Sequence, residues 1–256
     1  MLRVQLFRRV GIGLIDGDDL QYISAPKVQT VLVTLAAMVD KPVSVGRLAL
    51  EIWNESPPRL QNAGMHVYVS QLRKAIRSIG SVPDPIVTTS NGYALQGAQL
   101  KIDLVDFKSR LKNARALERE GNYQDAIPVL YHLLEMSEEL QRPAHFNGPI
   151  LHGLYTWIAE SRHGCKASLI RSLTAVGEHR AVIAHLPNFI REHPLHEPFY
   201  GQLMLAYYRV GRRADALRTF RILQHRLRDE LGLDPCTKLQ ELYRSILLSD
   251  SSLLSA

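Results

Sequence analysis

One stretch of the chain, residues 61–77, brings together side chains suited to binding nucleic acid. At helical spacing, one side of this stretch is small or hydrogen-bonding in its middle and cationic at its end. Serine and glutamine can hydrogen-bond to base edges, valine can contact the thymine methyl group, and lysine and arginine can replace the counterions of phosphate. No Asp or Glu occurs between Glu55 and Asp84, so no carboxylate there repels phosphate. The residues predicted to face DNA from this stretch are His66, Val67, Ser70, Gln71, Arg73, Lys74 and Arg77.

The opposite side of the same stretch predicts how it is anchored. Met65, Val69, Leu72 and Ile76 follow the i, i+4, i+7, i+11 spacing of an amphipathic helix. At 100° per residue they lie within about 60° of one another and form a stripe that can be buried. An ordinary amphipathic helix with a solvated basic face has the same pattern, so the stretch by itself leaves both interpretations open.

Composition favours two folded domains and a mild excess of positive charge. The chain has 256 residues, 46% of them hydrophobic, and a formal net charge of +6 with a pI near 9.4. Residues 1–102 carry 11 Lys and Arg against 7 Asp and Glu, whereas residues 103–256 carry 20 against 18. The excess therefore lies in the N-terminal part, as expected for a part that meets an anion.

Two cysteines far apart, no leader-like N-terminus and no long apolar run predict a reduced, cytoplasmic protein that does not enter a membrane. An association with the nucleoid would follow from DNA binding.

The elements around residues 61–77 predict a winged helix-turn-helix over residues 1–97. Short β-type runs come first, three helices follow, and a hairpin closes the segment, which gives the order β-β-β-α-α-α-β-β. Strands are predicted at 2–7, 10–15, 20–23, 86–89 and 93–96, turns or breaks at 16–19, 81–85 and 90–92, and helices after Pro26, after Ser44 and over 61–77.

Residues 98–256 are predicted to form an all-α domain of helix pairs, after a short join at 98–105. The pairs are centred on Gly121, Gly177 and Gly211, and the last two glycines are 34 residues apart, the period of a tetratricopeptide repeat. Five residues after each glycine stands an apolar residue that would let the helices stack closely: Ala126, Val182 and Ala216. The predicted helices are 107–120, 123–140, 154–176, 179–193, 197–210 and 214–231, with a loop at 142–153. The fold class is thus mainly α with a small β component.

Several motifs together resemble the SARP family, the Streptomyces antibiotic regulatory proteins. In the N-terminal part these are Ala25-Pro26-Lys27, Lys41-Pro42-Val43-Ser44, Tyr68-Val69-Ser70-Gln71-Leu72-Arg73-Lys74-Ala75 and Asn91-Gly92-Tyr93. In the C-terminal part they are Phe146-Asn147-Gly148-Pro149, His193-Pro194-Leu195-His196-Glu197 and Leu231-Gly232-Leu233-Asp234-Pro235. The resemblance covers about residues 2–248. It implies an OmpR-type winged helix followed by a bacterial transcriptional activator domain.

This resemblance implies a transcriptional activator that reads promoter DNA. Residues 61–77 would enter the major groove, and Lys27, Thr89 and Asn91 would hold phosphate and sugar together with Arg73 and Arg77. Two protomers would bind direct repeats, and the homodimer would form at least on DNA. The loop that contains Asn54, Glu55 and Arg59 would face RNA polymerase. The regulated genes would be a cluster for secondary-metabolite (antibiotic) biosynthesis.

The rival hypothesis is a helical-repeat adaptor whose winged helix binds protein rather than DNA. An enzyme is a more distant alternative, because no nucleophile elbow, HExxH motif or convincing carboxylate pair occurs. Gly11-Ile12-Gly13 lacks the strand–helix context of a nucleotide loop. His193 and His196 are separated by a proline and are expected to be structural. Neither a catalytic residue nor a cofactor nor a metal site is therefore predicted.

Overall fold

The computed structural model describes residues 1–15, 17, 19–54, 56, 58, 61–80, 83–138, 140 and 142–254. It confirms the predicted fold class, mainly α with small sheets in the N-terminal part. The strands are β1 Leu2–Gln5, β2 Gly11–Leu14, β3 Leu20–Tyr22, β4 Val43–Ser44, β5 Ile86–Thr89, β6 Gly92–Leu95 and β7 Leu100–Ile102. The helices are α1 Pro26–Ala37, α2 Val45–Trp53, α3 Gln61–Ile79, α4 Asp103–Arg119, α5 Tyr123–Glu138, α6 Pro149–Ala175, α7 His179–Glu192, α8 Glu197–Arg209, α9 Arg213–Leu231 and α10 Thr237–Leu247.

The N-terminal part contains two sheets. One is four-stranded in the order β3-β2-β1-β7, and the other is three-stranded in the order β4-β6-β5. β7 corrects the prediction that residues 98–105 are only a join: Leu100 and Ile102 are buried while Lys101 is exposed, so this short run alternates as a strand does. It pairs parallel with β1. The added strand β4 pairs antiparallel with β6.

α3 packs through the predicted stripe. Met65, Val69, Leu72 and Ile76 are each at most 3% exposed, so the stripe is confirmed as the anchoring side. The neighbouring helix α1 contributes its own apolar residues to the same core, among them Val31, Leu32 and Leu35. Burial of each such side chain contributes about 1.5–3 kcal/mol of hydrophobic free energy, which fixes the rotation of α3 about its axis.

The predicted turns between helices are confirmed at all three glycines. Gly121, Gly177 and Gly211 have φ of 75°, 80° and 79°, a left-handed conformation that glycine adopts without steric cost. The residues five positions later, Ala126, Val182 and Ala216, are fully buried, as the predicted helix stacking requires.

The predicted loop at 142–153 is wrong at its C-terminal end. α6 begins at Pro149 rather than near residue 154 and runs for 27 residues. Proline at the first helical position has no N–H to satisfy, and its fixed φ suits a helix start. The next two backbone N–H groups of α6 donate to the carboxylate of Glu51. Glu51 lies 98 residues before Pro149, so sequence spacing alone could not predict this contact.

The chain forms two compact units. One comprises Met1–Lys112 and His132–Arg162, and the other comprises Asn113–Tyr131 and His163–Ala256. The borders of these units lie within α4, α5 and α6, so the predicted domain boundary between residues 97 and 98 stays a prediction.

Parts of four predicted segments fall outside the described residues: the turn at 16–19, the loop after α2, the break at 81–85 and residue 139 of the helix at 123–140. Among the helices that are described, none has both the length and the apolar character needed to cross a membrane.

Candidate nucleic-acid interface

The outward side of α3 presents nearly all of the predicted residues to solvent. His66, Ser70, Gln71, Lys74 and Arg77 are exposed, and none of them is part of the packed core. Val67 is 51% exposed in the middle of this polar side, although a valine there could have been buried. An exposed valine among hydrogen-bonding groups suits contact with a thymine methyl group.

Arg73 is the exception on this side, because it is already engaged within the protein. Its guanidinium donates to the carbonyl oxygen of Ile86 at 2.8 Å and to Oγ1 of Thr88 at 3.1 Å. It also forms an ion pair with Asp84 at 2.7 Å between Nε and Oδ2. The planar guanidinium therefore links α3 to β5. Because β5 and β6 form the hairpin called the wing, Arg73 connects the helix to the wing.

His66 makes a second connection between α3 and the wing. Its Nδ1 lies 2.7 Å from Oη of Tyr93, and the two rings meet edge to face with centroids 6.2 Å apart. Tyr93 is nearly fully buried, and this burial raises the pKa of its hydroxyl, an effect that the nearby Arg73 partly offsets. The hydroxyl therefore stays neutral at physiological pH and holds the imidazole in place.

The wing is a two-strand hairpin in which Thr89 pairs with Gly92. Thr89 is half-buried, and Asn91 is exposed at the tip, where its carbonyl oxygen accepts the backbone N–H of Val45 at 3.0 Å. A Cβ at Gly92 would lie 2.0 Å from the carbonyl oxygen of Val43. Only glycine lets the wing tip approach β4 this closely, which explains the Asn-Gly-Tyr sequence at this turn.

Lys27 lies at the start of α1 on a pair of aromatic rings. Its Nζ is 5.4 Å from the ring centroid of Trp53 and 5.8 Å from that of Tyr68. The side chain is exposed, so the aromatic faces can steady the ammonium group by cation–π attraction while it remains accessible to an anion.

One basic residue was missed by the sequence reasoning. Arg47 is exposed in the first turn of α2, directly after Ser44, whose Oγ accepts the backbone N–H of Arg47 at 3.3 Å. The amide of Val45 in the same turn donates to the backbone carbonyl oxygen of Asn91, so the start of α2 lies against the wing tip. The signal was present in the sequence, since a cation two residues inside a serine-capped helix is well placed for phosphate.

The loop after α2 is described only in part. Asn54 is exposed and ends α2 with φ of 53°, and its N–H is bonded to the carbonyl oxygen of Leu50 at 3.0 Å. Glu55 and Arg59, the other two residues predicted to face polymerase, lie outside the described residues.

Glu51 holds α2 in position from its buried side. The residue is 1% exposed, and its carboxylate accepts the backbone N–H groups of Ile150 at 2.7 Å and Leu151 at 3.1 Å. The backbone N–H groups in the first turn of a helix have no partner within the helix, and here the Glu51 carboxylate accepts two of them. Its negative charge is also favoured by the helix dipole at this end of α6. A Cβ at Gly148 would lie 2.3 Å from Cα of Glu51, so this glycine allows the close approach.

The cysteine and histidine side chains of the helical part are arranged as follows. Cys165 is buried, and burial raises the pKa of its thiol to about 11. The rings of His193 and His196 both meet His163 edge to face, with centroids 4.5 Å and 4.7 Å away. Within the described part of the chain, no group of three or more His, Cys, Asp or Glu is arranged to hold a metal ion.

The profile of the bacterial transcriptional activator domain matches residues 102–247. The transcriptional regulatory protein EmbR of Mycobacterium tuberculosis (strain H37Rv) is 31% identical over 232 residues, which cover 87% of this chain and 58% of EmbR. The regulatory protein AfsR of Streptomyces coelicolor is 30% identical over 239 residues, 93% of this chain and 23% of AfsR. DnrI of Streptomyces peucetius is 26% identical over 232 residues, 88% of this chain and 85% of DnrI.

A solved structure agrees with these likenesses. That of Mycobacterium tuberculosis EmbR in complex with a low-affinity phosphopeptide superposes with a TM-score of 0.83 at 28% identity and covers 99% of this chain and 68% of that one. The chain thus spans little more than half the length of EmbR and about a quarter of AfsR.

Proposed function

Because this chain belongs to the SARP family of bacterial regulators, with a bacterial transcriptional activator domain over residues 102–247, we propose that it is a sequence-specific DNA-binding activator of transcription. The observation that carries the proposal is the outward side of α3. It is exposed, has no acidic residue, and is held outward by a stripe that is at most 3% exposed.

Base reading is assigned to the middle of α3. Ser70 and Gln71 are exposed there with hydrogen-bonding groups, and Val67 offers an apolar contact between them. Lys74 follows one turn after Ser70 and can bond a guanine edge or a phosphate. Each base-reading side chain is expected to contribute about 1–3 kcal/mol of discrimination.

Phosphate contacts are assigned to cations and polar groups around this helix. They fix the register of the protein on the duplex but do not read the sequence. Arg77 lies one turn beyond Lys74 on α3, Lys27 and Arg47 lie at the starts of α1 and α2, and Asn91 lies at the wing tip. Arg73 and His66 support this surface through their bonds to the wing, and Thr89 stands beside the tip.

The finer parts of the proposal follow the family. Two protomers bind direct repeats in a promoter, and the loop that starts at Asn54 meets RNA polymerase there. The controlled genes are a secondary-metabolite cluster, and the protein acts in the cytoplasm, on the nucleoid. A transcription assay with purified polymerase tests recruitment: the protein should raise transcript yield from a promoter that it binds, and an unchanged yield would refute recruitment while leaving DNA binding intact.

The experiment that tests DNA binding is a mobility-shift titration of the full chain on duplexes enriched from a random library by repeated selection. Wild-type affinity should fall steeply with salt, with log K decreasing by about 0.9 per phosphate neutralised for each unit of log salt. Gln71→Ala should weaken the selected duplex about 5–150-fold and leave random duplex almost unchanged. If Lys74 contacts phosphate, Lys74→Ala should weaken binding to both duplexes and lower the salt slope by about one; if it bonds a guanine edge, it should weaken binding to the selected duplex alone.

Lys112 supplies a matched control, because it is an exposed lysine of α4 outside the assigned surface. Lys112→Ala should bind like wild type. No retardation at low salt, which the adaptor hypothesis expects, would refute the proposal. Equal losses for Gln71→Ala and Lys112→Ala would refute the assignment of α3 as the reading helix.

A further inference from the structure

A polar cavity lies far along the sequence from α3, beside the pairing of β1 with β7. Its volume is about 470 Å³, within the range of small-molecule sites. Residues of β1, β7, α4 and the end of α5 line it, and all of them belong to the unit that contains Met1–Lys112 and His132–Arg162. The lining contains both acidic and basic side chains. Which ligand it can attract therefore depends on which of these charges are already paired within the protein.

Two of the three carboxylates in the lining have close partners, and the third, Glu135, is largely exposed and lies 3.9 Å from Nδ1 of His132. The carboxylate of Asp103 accepts the backbone N–H groups of Leu6 at 2.7 Å, Phe7 at 3.0 Å and Leu104 at 2.8 Å. Asp106 is paired with Arg110 at 2.8 Å, which accounts for both charges. Burial raises the pKa of Asp103, and its three backbone hydrogen bonds and then the charge of Arg3 oppose that rise, although Arg3 forms no ion pair with it.

The strand cations are different. Arg3 of β1 and Lys101 of β7 both line the cavity, and both are exposed. Among the described residues, neither is within 4 Å of a carboxylate; the one side-chain bond of Arg3 is to Oε1 of Gln5, at 3.4 Å. The cavity therefore has an excess of positive charge on its sheet side.

These two cations are also direct neighbours across the sheet. Arg3 and Lys101 are register partners in the parallel pairing of β1 and β7, which places both side chains on the same face. Like charges at such positions repel and destabilise the pairing. An anion between them would turn this repulsion into two charge-assisted bonds, because a guanidinium holds phosphate with a fork of donors and an ammonium adds a compact charge.

We propose that this cavity is a binding site for a small phosphate-bearing molecule, held by Arg3 and Lys101. The site is independent of the proposed DNA-binding surface, because none of its lining residues lies on α1, α2, α3 or the wing. Bound phosphate would strengthen the pairing of β1 with β7 and so the attachment of the segment that leads into α4.

The experiment is a thermal-unfolding and calorimetric titration of the full chain with two probes, inorganic pyrophosphate and fructose 1,6-bisphosphate. Sodium chloride at matched ionic strength separates binding from general screening. Wild type should show a saturable rise in melting temperature with at least one probe. Saturation by pyrophosphate alone identifies the phosphate group as sufficient, and saturation by the sugar bisphosphate alone identifies an organic phosphate.

Variants locate the site. Arg3→Gln and Lys101→Gln should each raise the dissociation constant at least tenfold. Lys101→Glu should abolish binding yet melt, without probe, at or above the wild-type temperature, because it replaces a repulsive pair with an attractive one; this separates lost binding from lost folding. Lys112→Gln, and Lys74→Gln on the DNA-binding surface, should bind the probe as wild type does.

The proposal is overturned by three results: no saturable effect of either probe beyond that of sodium chloride, binding by Lys101→Glu equal to wild type, or loss of binding in Lys74→Gln with retention in Lys101→Gln. The last result would place the anion on the α3 surface. Failure of DNA binding leaves this proposal standing, because the two experiments use different ligands and the phosphate site is located by Arg3 and Lys101, which the DNA experiment does not change.

Discussion

Removing the carboxylate of Glu51 should detach α6 from the helix-turn-helix that it supports. Glu51 accepts two backbone N–H groups at 2.7 Å and 3.1 Å, and one of them belongs to a fully buried residue, Leu151. A hydrogen bond to a charged acceptor contributes about 1.5–3 kcal/mol. Glu51→Ala loses both and leaves two amides of the first turn without their acceptor, so we expect a loss of about 3–5 kcal/mol of unfolding free energy.

Glu51→Gln should fall between Glu51→Ala and wild type. The amide oxygen of glutamine can accept one of the two N–H groups, but its NH₂ faces the other, and the attraction of a full negative charge for the helix start is lost. A loss of about 1.5–3 kcal/mol follows from one charge-assisted bond. Since small domains have only about 5–15 kcal/mol of stability, both changes are large enough to measure.

The assay is urea unfolding followed by circular dichroism, with Glu160→Ala as the control. Glu160 is an exposed glutamate of α6 in the same compact unit, so its removal should change stability by less than about 0.5 kcal/mol. Equal stability of Glu51→Ala and Glu160→Ala would refute the capping argument. A Glu51→Gln variant as unstable as Glu51→Ala would also refute it, because the oxygen that glutamine retains should preserve one of the two hydrogen bonds.

Three further changes have defined outcomes. Gly92→Ala should lower the free energy of unfolding by about 1–3 kcal/mol, because its Cβ would lie 2.0 Å from an atom of β4. The control is Gly46→Ala in α2, where a Cβ meets nothing within 4 Å, and this change should be neutral or stabilising. Equal losses for the two variants would refute the argument. In native protein at pH 8 one thiol should react rapidly with Ellman's reagent, and Cys236→Ser should abolish that phase: Cys236 is exposed, whereas Cys165 with a pKa of about 11 is roughly 0.1% thiolate. Stability should fall as pH drops below 6.5, because burial lowers the pKa of four histidines, His145, His179, His185 and His196, so that the unfolded chain binds their protons more tightly. Removing one of them, as His196→Gln does, should make this dependence shallower, and an unchanged slope would contradict the argument.

The parts of the fold that could be predicted are those set by local patterns. The stripe of α3 repeats at helical spacing, so its burial and the exposure of Ser70, Gln71 and Lys74 followed from the sequence. The turns at Gly177 and Gly211 followed in the same way, because each glycine sits between two apolar periodic segments.

The parts that could not be predicted depend on partners far apart in the chain. Glu51 reads as a surface residue of a short amphipathic helix until α6, about a hundred residues later, brings two amides to it. β7 has three residues, too few for alternation to stand out, and it becomes a strand because β1 offers it a free edge. The bond between His66 and Tyr93 likewise joins positions 27 residues apart.

Arg73 shows what residue type alone does not reveal about a predicted binding surface. As a cation on the outward side of α3, it is predicted to hold phosphate, and its Nη2 already donates to Ile86 and Thr88 while its Nε is paired with Asp84. A phosphate would have to compete with a carboxylate at 2.7 Å and with two aligned acceptors. Arg73 is therefore better suited to fixing the angle between helix and wing. Because His66 makes a second such connection to Tyr93, α3 and the wing are held as one surface. The base reading that we propose for the helix would therefore be tied to the phosphate positions that we propose for the wing.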